Sequence, residues 1–141
     1  MTIYKTIYDE IEDILETVEN VKQIVKHPTA NFSKYPAVVY FPAEVSNVFS
    51  TNADNFREYK FKMFVVAGVD QTTMSNIFEN VLSNTCDAIL EAFDSGWKLN
   101  SIDGHRVWIR IDAGNWSVEK TDKGLLGVAE FDIIIKLSVN N

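Results

Sequence analysis

The chain has 141 residues, a length at which one domain removes roughly 68–70% of its unfolded surface from water, so a core is possible without disulfide or metal staples. Thirteen basic against twenty acidic residues leave a net charge of −7, the wrong sign for an extended contact with DNA phosphates, and 46% hydrophobic with 23% charged residues excludes disordered and fibrous classes. Cys86 is the single cysteine, which rules out an internal disulfide and a two-cysteine zinc motif and makes the reducing cytoplasm the natural setting.

From Thr2 the apolar residues Ile3, Ile7, Ile11, Ile14, Leu15, Val18, Val21, Ile24 and Val25 recur at helical spacing for about six turns. This predicts a long amphipathic helix ended by Pro28. Its early acids (Asp9, Glu10, Glu12, Asp13, Glu16, Glu19) and late cations (Lys22, Lys26, His27) are ordered to complement the helix dipole. The acid-rich start is not a basic segment followed by a short apolar run, and no apolar stretch reaches the ~20 residues that span a bilayer. The expectation is a protein neither exported by a standard signal nor embedded in a membrane.

Tyr35-Pro36 closes a loop before the apolar run 37–41, bounded by prolines, which reads as a buried strand. Residues 42–55 are polar with Val45, Val48 and Phe49 scattered among them, and read either as a long loop or as a weak hairpin arm. A plainer alternative makes 45–50 another strand of the sheet, with 51–55 as its turn. Residues 56–67 alternate, with Tyr59, Phe61, Met63 and Val65 on one face of a long strand. Asp70 and Thr72 are N-cap candidates for a second helix carrying Met74, Ile77, Phe78, Val81, Leu82, Ile89 and Phe93, with Gly96 placed for a left-handed C-cap.

The remainder predicts a meander: 107–111, a turn through Asp112-Ala113-Gly114-Asn115, a strand 116–120, a turn through Thr121-Asp122-Lys123-Gly124, and a last strand. That strand points Ala129, Phe131, Ile133, Ile135, Leu137 and Val139 inward. The fold class expected is α+β, a mostly antiparallel sheet of about four to six strands with two long helices on one face, in a single domain spanning the chain. Phe64, Val66, Trp108 and Ile134 then lie on the face away from the helices, where a neighbouring subunit could cover them.

No pattern for chemistry emerges. His27 and His105 have no ligand or catalytic partner at a recurring spacing, His27 reading as a helix C-terminal cation and Asp103-Gly104-His105 as a turn. Cys86 lies near the border of an apolar stripe and reads as a packed thiol, the acids of the first helix as a solvated face, and the six glycines form no phosphate cradle. Trp97 packs back on its helix, whereas Trp108 and Trp116 form a cross-strand pair or anchor an interface.

The opening helix, the run Tyr35-Pro36-Ala37-Val38-Val39-Tyr40-Phe41-Pro42, and Thr51 leading into Phe56-Arg57-Glu58-Tyr59-Lys60-Phe61-Lys62-Met63-Phe64-Val65 together resemble the tail terminator (tail completion) proteins of long-tailed bacteriophages. The likeness is one of element order and residue character over nearly the whole chain. It implies a virion structural protein, not an enzyme, needing no cofactor and no metal. It further implies a homo-oligomeric ring, a hexamer, that caps the tail tube protein, joins the head-connector or neck protein, and lets DNA through its lumen without specific binding. Such a protein belongs to the virion tail, and to the host cytoplasm during assembly. Interface candidates are Val45, Val48, Phe49, Phe56, Phe64, Val66, Trp108 and Ile134. Another neck or head-completion subunit, or a small-ligand or peptide-binding α+β module, stands as the alternative.

Overall fold

The computed structural model describes residues 3–29, 31–49, 55–68, 74–121 and 124–138. The chain begins with helix α1 (Ile3–Glu16), which buries Ile7, Ile11, Ile14 and Leu15, followed by strand β1 (Gln23–Val25). The expected six-turn helix therefore stops halfway. The Thr17 hydroxyl donates to the Ile14 carbonyl at 2.6 Å, and the Thr17 and Val18 amides bond back three residues, which tightens and closes the last turn. Beyond it Val18, Val21, Ile24 and Val25 are β-branched, stiff in a helix and well suited to a pleated surface, so the apolar spacing continues while the backbone changes. Lys22, Lys26 and His27 consequently lie beyond α1, whose last turn holds no basic residue, and Lys26 reaches back to the Glu12 carboxylate at 3.1 Å.

Strand β2 (Ala37–Phe49) pairs parallel with β1 and antiparallel with β3 (Asn55–Gly68). Residues 42–49 are thus strand and not loop, and the hairpin reading of this stretch is the one the backbone adopts; residues 50–54 lie outside the described residues. Pro42 sits inside β2, not after it, beside a register shift between Pro42 and Glu44. A residue with no amide hydrogen is tolerated there because this part of β2 is an edge. The preceding proline peptide, Tyr35–Pro36, is cis.

The second helix, α2, runs continuously over 74–96 with a widened π-helical turn at Ile77–Val81. Its expected stripe is buried at Ile77, Leu82, Ile89 and Phe93, joined by Thr85 and Cys86. Asp70 and Thr72 fall outside the described residues. Gly96 is the last helical residue and not a left-handed cap, because Trp97 continues in extended conformation while its amide bonds to the Phe93 carbonyl at 3.3 Å. The Trp97 ring stacks on Phe93, as its position in the sequence implies.

The closing strands are β4 (Ser101–Ile102), β5 (His105–Thr121) and β6 (Gly124–Ser138). Asp112 to Asn115 makes no turn. It is a bulge within one 17-residue strand, where the register shifts between Ala113 and Trp116. A Cβ on Gly114 would stand 2.6 Å from the Glu130 carbonyl oxygen, so glycine is needed for close backbone approach rather than for chain reversal. The reversal comes later, where Thr121 pairs with Gly124, as expected.

Among the described residues six strands form one sheet in the order β1-β2-β3-β6-β5-β4, mixed because β1–β2 is parallel while every other pair is antiparallel. The class is α+β, with α1 and α2 both packed on one face. Ile7, Ile11, Leu82 and Ile89 of the helices share a core with Tyr40, Phe61, Met63, Ile133 and Ile135 of the strands. The strand-inward sets expected for β3 and β6 are buried there, apart from Val139, which is not among the described residues.

Gly127 of β6 sets how closely α2 approaches: a Cβ there would lie 2.7 Å from Cγ2 of Ile77, itself 2% exposed and unable to swing away. Gly127→Ala is expected to destabilise the fold by about 1–3 kcal/mol through overpacking, read as a lowered urea midpoint.

Candidate assembly surface

The second face of the sheet is not left to solvent throughout. The eleven-residue crossover from β1 to β2 lies across one end of it, held by the Gln23 side-chain oxygen, which accepts from the Ser33 and Lys34 amides at 2.9 and 3.2 Å. Phe32 from this crossover is buried with Ala37, Val39, Val66, Leu126 and Val128, and Tyr35, Phe41 and Phe64 pack around them. Beside Phe32, between Pro28 and the far half of β5, a groove of about 530 Å³ remains open over Val39, Phe64 and Val128.

The middle of this face is a charged ladder. Lys62 reaches Asp132 at 2.9 Å and Glu130 at 3.0 Å, and these hydrogen bonds, Asp132's first, raise its pKa above that of a free lysine. Lys60 meets Glu44 at 3.3 Å, and Arg110 meets Asp112 at 3.0 Å. With Glu58 the carboxylates outnumber these cations. At the far end Phe56 and Trp108 meet edge to face at 5.8 Å, with the Lys136 ammonium over Phe56 and the Arg106 guanidinium over Trp108.

The interface candidates separate on this surface. Trp108, 39% exposed, is open to solvent at the aromatic end, and Phe56 and Phe64 are half-buried. Val66 and Ile134 are 3% and 8% exposed, so the monomer already covers them, Val66 beneath the crossover and Ile134 between its neighbours in register, Lys60 and Arg110. Val45 is 47% exposed and lies opposite Tyr59, hence on the helix side of the sheet. Val48 and Phe49 pair in register with Phe56 and Asn55.

Trp108 and Trp116 do not pair with each other. They sit on one strand, and the bulge between them changes the parity of the strand by one residue, so Trp108 falls on the open face while Trp116 meets Phe78 of α2 at 6.0 Å. Past α2 the tip of the β5–β6 hairpin carries Trp116, Val118 and Leu125, each at least 40% exposed, an apolar patch the alternation did not single out.

The ionisable residues weighed for chemistry are dispersed. His27 is exposed beside the Pro28 carbonyl and lies after β1 rather than at a helix end. His105 opens β5 behind the Asp103-Gly104 turn, whose φ values of 51° and 82° are left-handed; its Nδ1 is buried with no hydrogen-bond partner. Glu10 departs from the solvated-face reading of the α1 acids. It is buried, and its carboxylate accepts the Lys98 amide just past α2, tying the two helices together. Among the described residues no group of three or more His, Cys, Asp or Glu gathers where it could hold a metal ion, and no helix is long and apolar enough to cross a membrane.

Burial in the core pushes the Cys86 thiol up to about 12, with Asp87 adding to the shift. Ellman's reagent at pH 8 is therefore expected to leave the folded protein unlabelled and to titrate one thiol once urea unfolds it. Prompt labelling without denaturant would show that α2 opens locally.

No protein-family model matches the chain, and no curated protein matches it either.

Proposed function

We propose that this chain is a non-enzymatic structural subunit of a bacteriophage tail, one copy of a ring that caps the tail tube and presents the surface to which the head connector joins. The observation that carries this reading is a sheet of long strands whose two edges are, among the described residues, largely unpaired, with apolar side chains left exposed on both faces. It is supported by the likeness of 35–42 and 56–65 to tail terminator proteins. An acidic chain also suits a ring through which DNA slides, because like charge keeps the polymer from adhering. The ring is proposed as a hexamer.

The direct test adds purified protein to tail tubes made without it. Electron microscopy is expected to show a ring at one end of each tube and tubes of fixed length. Bare ends, or binding to heads alone, point instead to another neck or head-completion subunit. Trp108→Ser is expected to weaken capping at least tenfold, a larger effect than its cost to the monomer, in which Trp108 is part-exposed and meets Phe56 and Arg106. Equal losses of stability and assembly in that variant would remove Trp108 from the interface.

One observation favours a second reading. The groove beside Phe32 is large enough for a small ligand or an apolar side chain of a peptide, which a binding module would use. A stable monomer that binds a peptide there, and never caps tubes, would establish it.

A further inference from the structure

Among the described residues β1 covers β2 only up to Val39, and β4 with Asn100 covers β5 only up to Val107. Two long stretches of backbone, 40–49 beside β3 and 108–120 beside β6, are left without a described strand on their outer side, on opposite edges of the sheet. Such edges template strand addition unless they are blocked. Pro42 blocks part of the first, leaving Glu44 to Phe49 able to pair.

The two edges complement one another in three respects. The first is direction: the steps β2–β3, β3–β6 and β6–β5 are all antiparallel, so β5 runs opposite to β2. A copy displaced sideways would set its β2 antiparallel against β5 and continue the pattern of the sheet.

The second is level. Val45 pairs with Tyr59, Tyr59 with Ile135, and Ile135 with Ile109, so Val45 and Ile109 stand at the same height on the same, helix-bearing face. Exposed Val45 would meet a pocket of about 430 Å³ formed by Leu90, Phe93 and Trp97 with Ile109 and Ile111, and lined also by Asp94 and Arg110. An open edge beside a pocket for alternate side chains is the arrangement that strand addition uses.

The third is charge. Glu44 pairs with Lys60, Lys60 with Ile134, and Ile134 with Arg110, which puts Glu44 level with Arg110 on the open face. Their side chains are 63% and 62% exposed.

We propose that a second copy of this chain adds head to tail by pairing 44–46 of its β2 edge antiparallel with 108–110 of the β5 edge, short of the part that β4 covers, seating Val45 against Ile109 and Glu44 beside Arg110. The contact is heterologous, so repetition closes a ring or grows a filament and does not stop at a dimer. It deepens the ring reading above and rests on the self-association that reading requires.

The test uses the whole chain carrying Val45→Cys with Ile109→Cys, or with Ile111→Cys to admit a two-residue shift of register. Oxidation is expected to give a ladder of cross-linked oligomers on non-reducing gels. Mixing the two single variants should yield dimers only. Buried Cys86 leaves the wild type uncross-linked. Val45→Cys with Trp108→Cys should fail, because Trp108 lies on the opposite face.

A charge swap at exposed positions tests the same contact without touching the core. Glu44→Arg and Arg110→Glu should each weaken association about tenfold, and the pair together should restore it. Oligomers seen by native mass spectrometry or on tubes, with no cross-link at either helix-face pair and no rescue by the swap, would overturn edge pairing while leaving the ring intact. A chain that stays monomeric both in solution and with tubes would overturn both.

Discussion

Phe61→Ala is expected to cost about 3–5 kcal/mol, a large part of the roughly 5–15 kcal/mol that holds a domain of this size. Phe61 is fully buried midway along β3, where its ring meets Tyr8 edge to face at 5.2 Å and lies 6.2 Å from Tyr4 and 6.5 Å from Tyr40. These neighbours are poorly placed to fill the space it leaves. The Tyr40 hydroxyl donates to the Tyr8 carbonyl at 2.9 Å, and burial, first among its causes, raises the Tyr40 pKa far above the usual phenol, so the group stays a neutral donor anchored to α1. A cavity that cannot collapse puts the cost toward the upper end of the range. Urea unfolding should show a lowered midpoint with an unchanged slope, and Phe61→Leu, which keeps more of the volume, should lose roughly 1–2 kcal/mol. A loss below about 1 kcal/mol in the alanine variant would mean that α1 does not pack on β3 as described.

Alternation was a reliable guide wherever a strand had one helix-covered face. Tyr59, Phe61, Met63 and Val65, and the odd-numbered run from Ala129 to Leu137, point into the core because the pleat leaves them no other option once α1 and α2 cover that side. Apolar spacing failed over 18–25 for a physical reason. Val18, Val21, Ile24 and Val25 are buried or half-buried in both the helix and the strand reading, so burial alone cannot tell the periods apart. Thr17 decided the matter through a local bond that no spacing encodes. Gly114 was ambiguous in another way, since glycine permits both a turn and a bulge, and only the long-range pairing of β5 with β6 selects the bulge.

The open face was less legible than the core. That Phe64, Val66, Trp108 and Ile134 share it follows from strand parity, but what covers it depends on the crossover that carries Phe32 and Tyr35 over Val66, a contact between segments far apart in the chain. Glu10 was hidden for a similar reason, being one acid in a helix full of them until the Lys98 amide arrives beside it. The two open edges could not be read at all from residue character, because an edge is defined by strand order, and strand order is tertiary.

The other large effect expected is on assembly, from shortening the β2–β3 hairpin. Val48 and Phe56 are cross-strand partners, so residues 49–55 can be replaced by a two-residue Asn-Gly turn without shifting the register below them. Of the residues removed, Asn55 has a described side chain: it belongs to neither hydrophobic cluster, and its side-chain oxygen is buried without a partner, so its loss carries no penalty. Thermal unfolding should therefore stay within about 3 °C of the wild type, a change below about 1 kcal/mol for a chain of this size. On the ring reading proposed above, tail capping should be lost, because the segment removed carries Phe49, an apolar residue in a polar stretch of sequence. The pairing of β3 limits what the deletion can include. Phe56 to Lys60 are paired on their other side with Ser138 to Ile134 of β6, so cutting further into β3 would strip a partner from buried Leu137 and confuse folding with assembly. A variant that melts many degrees early yet still caps tubes would show the hairpin end to be part of the core, and would move the docking surface elsewhere on the sheet.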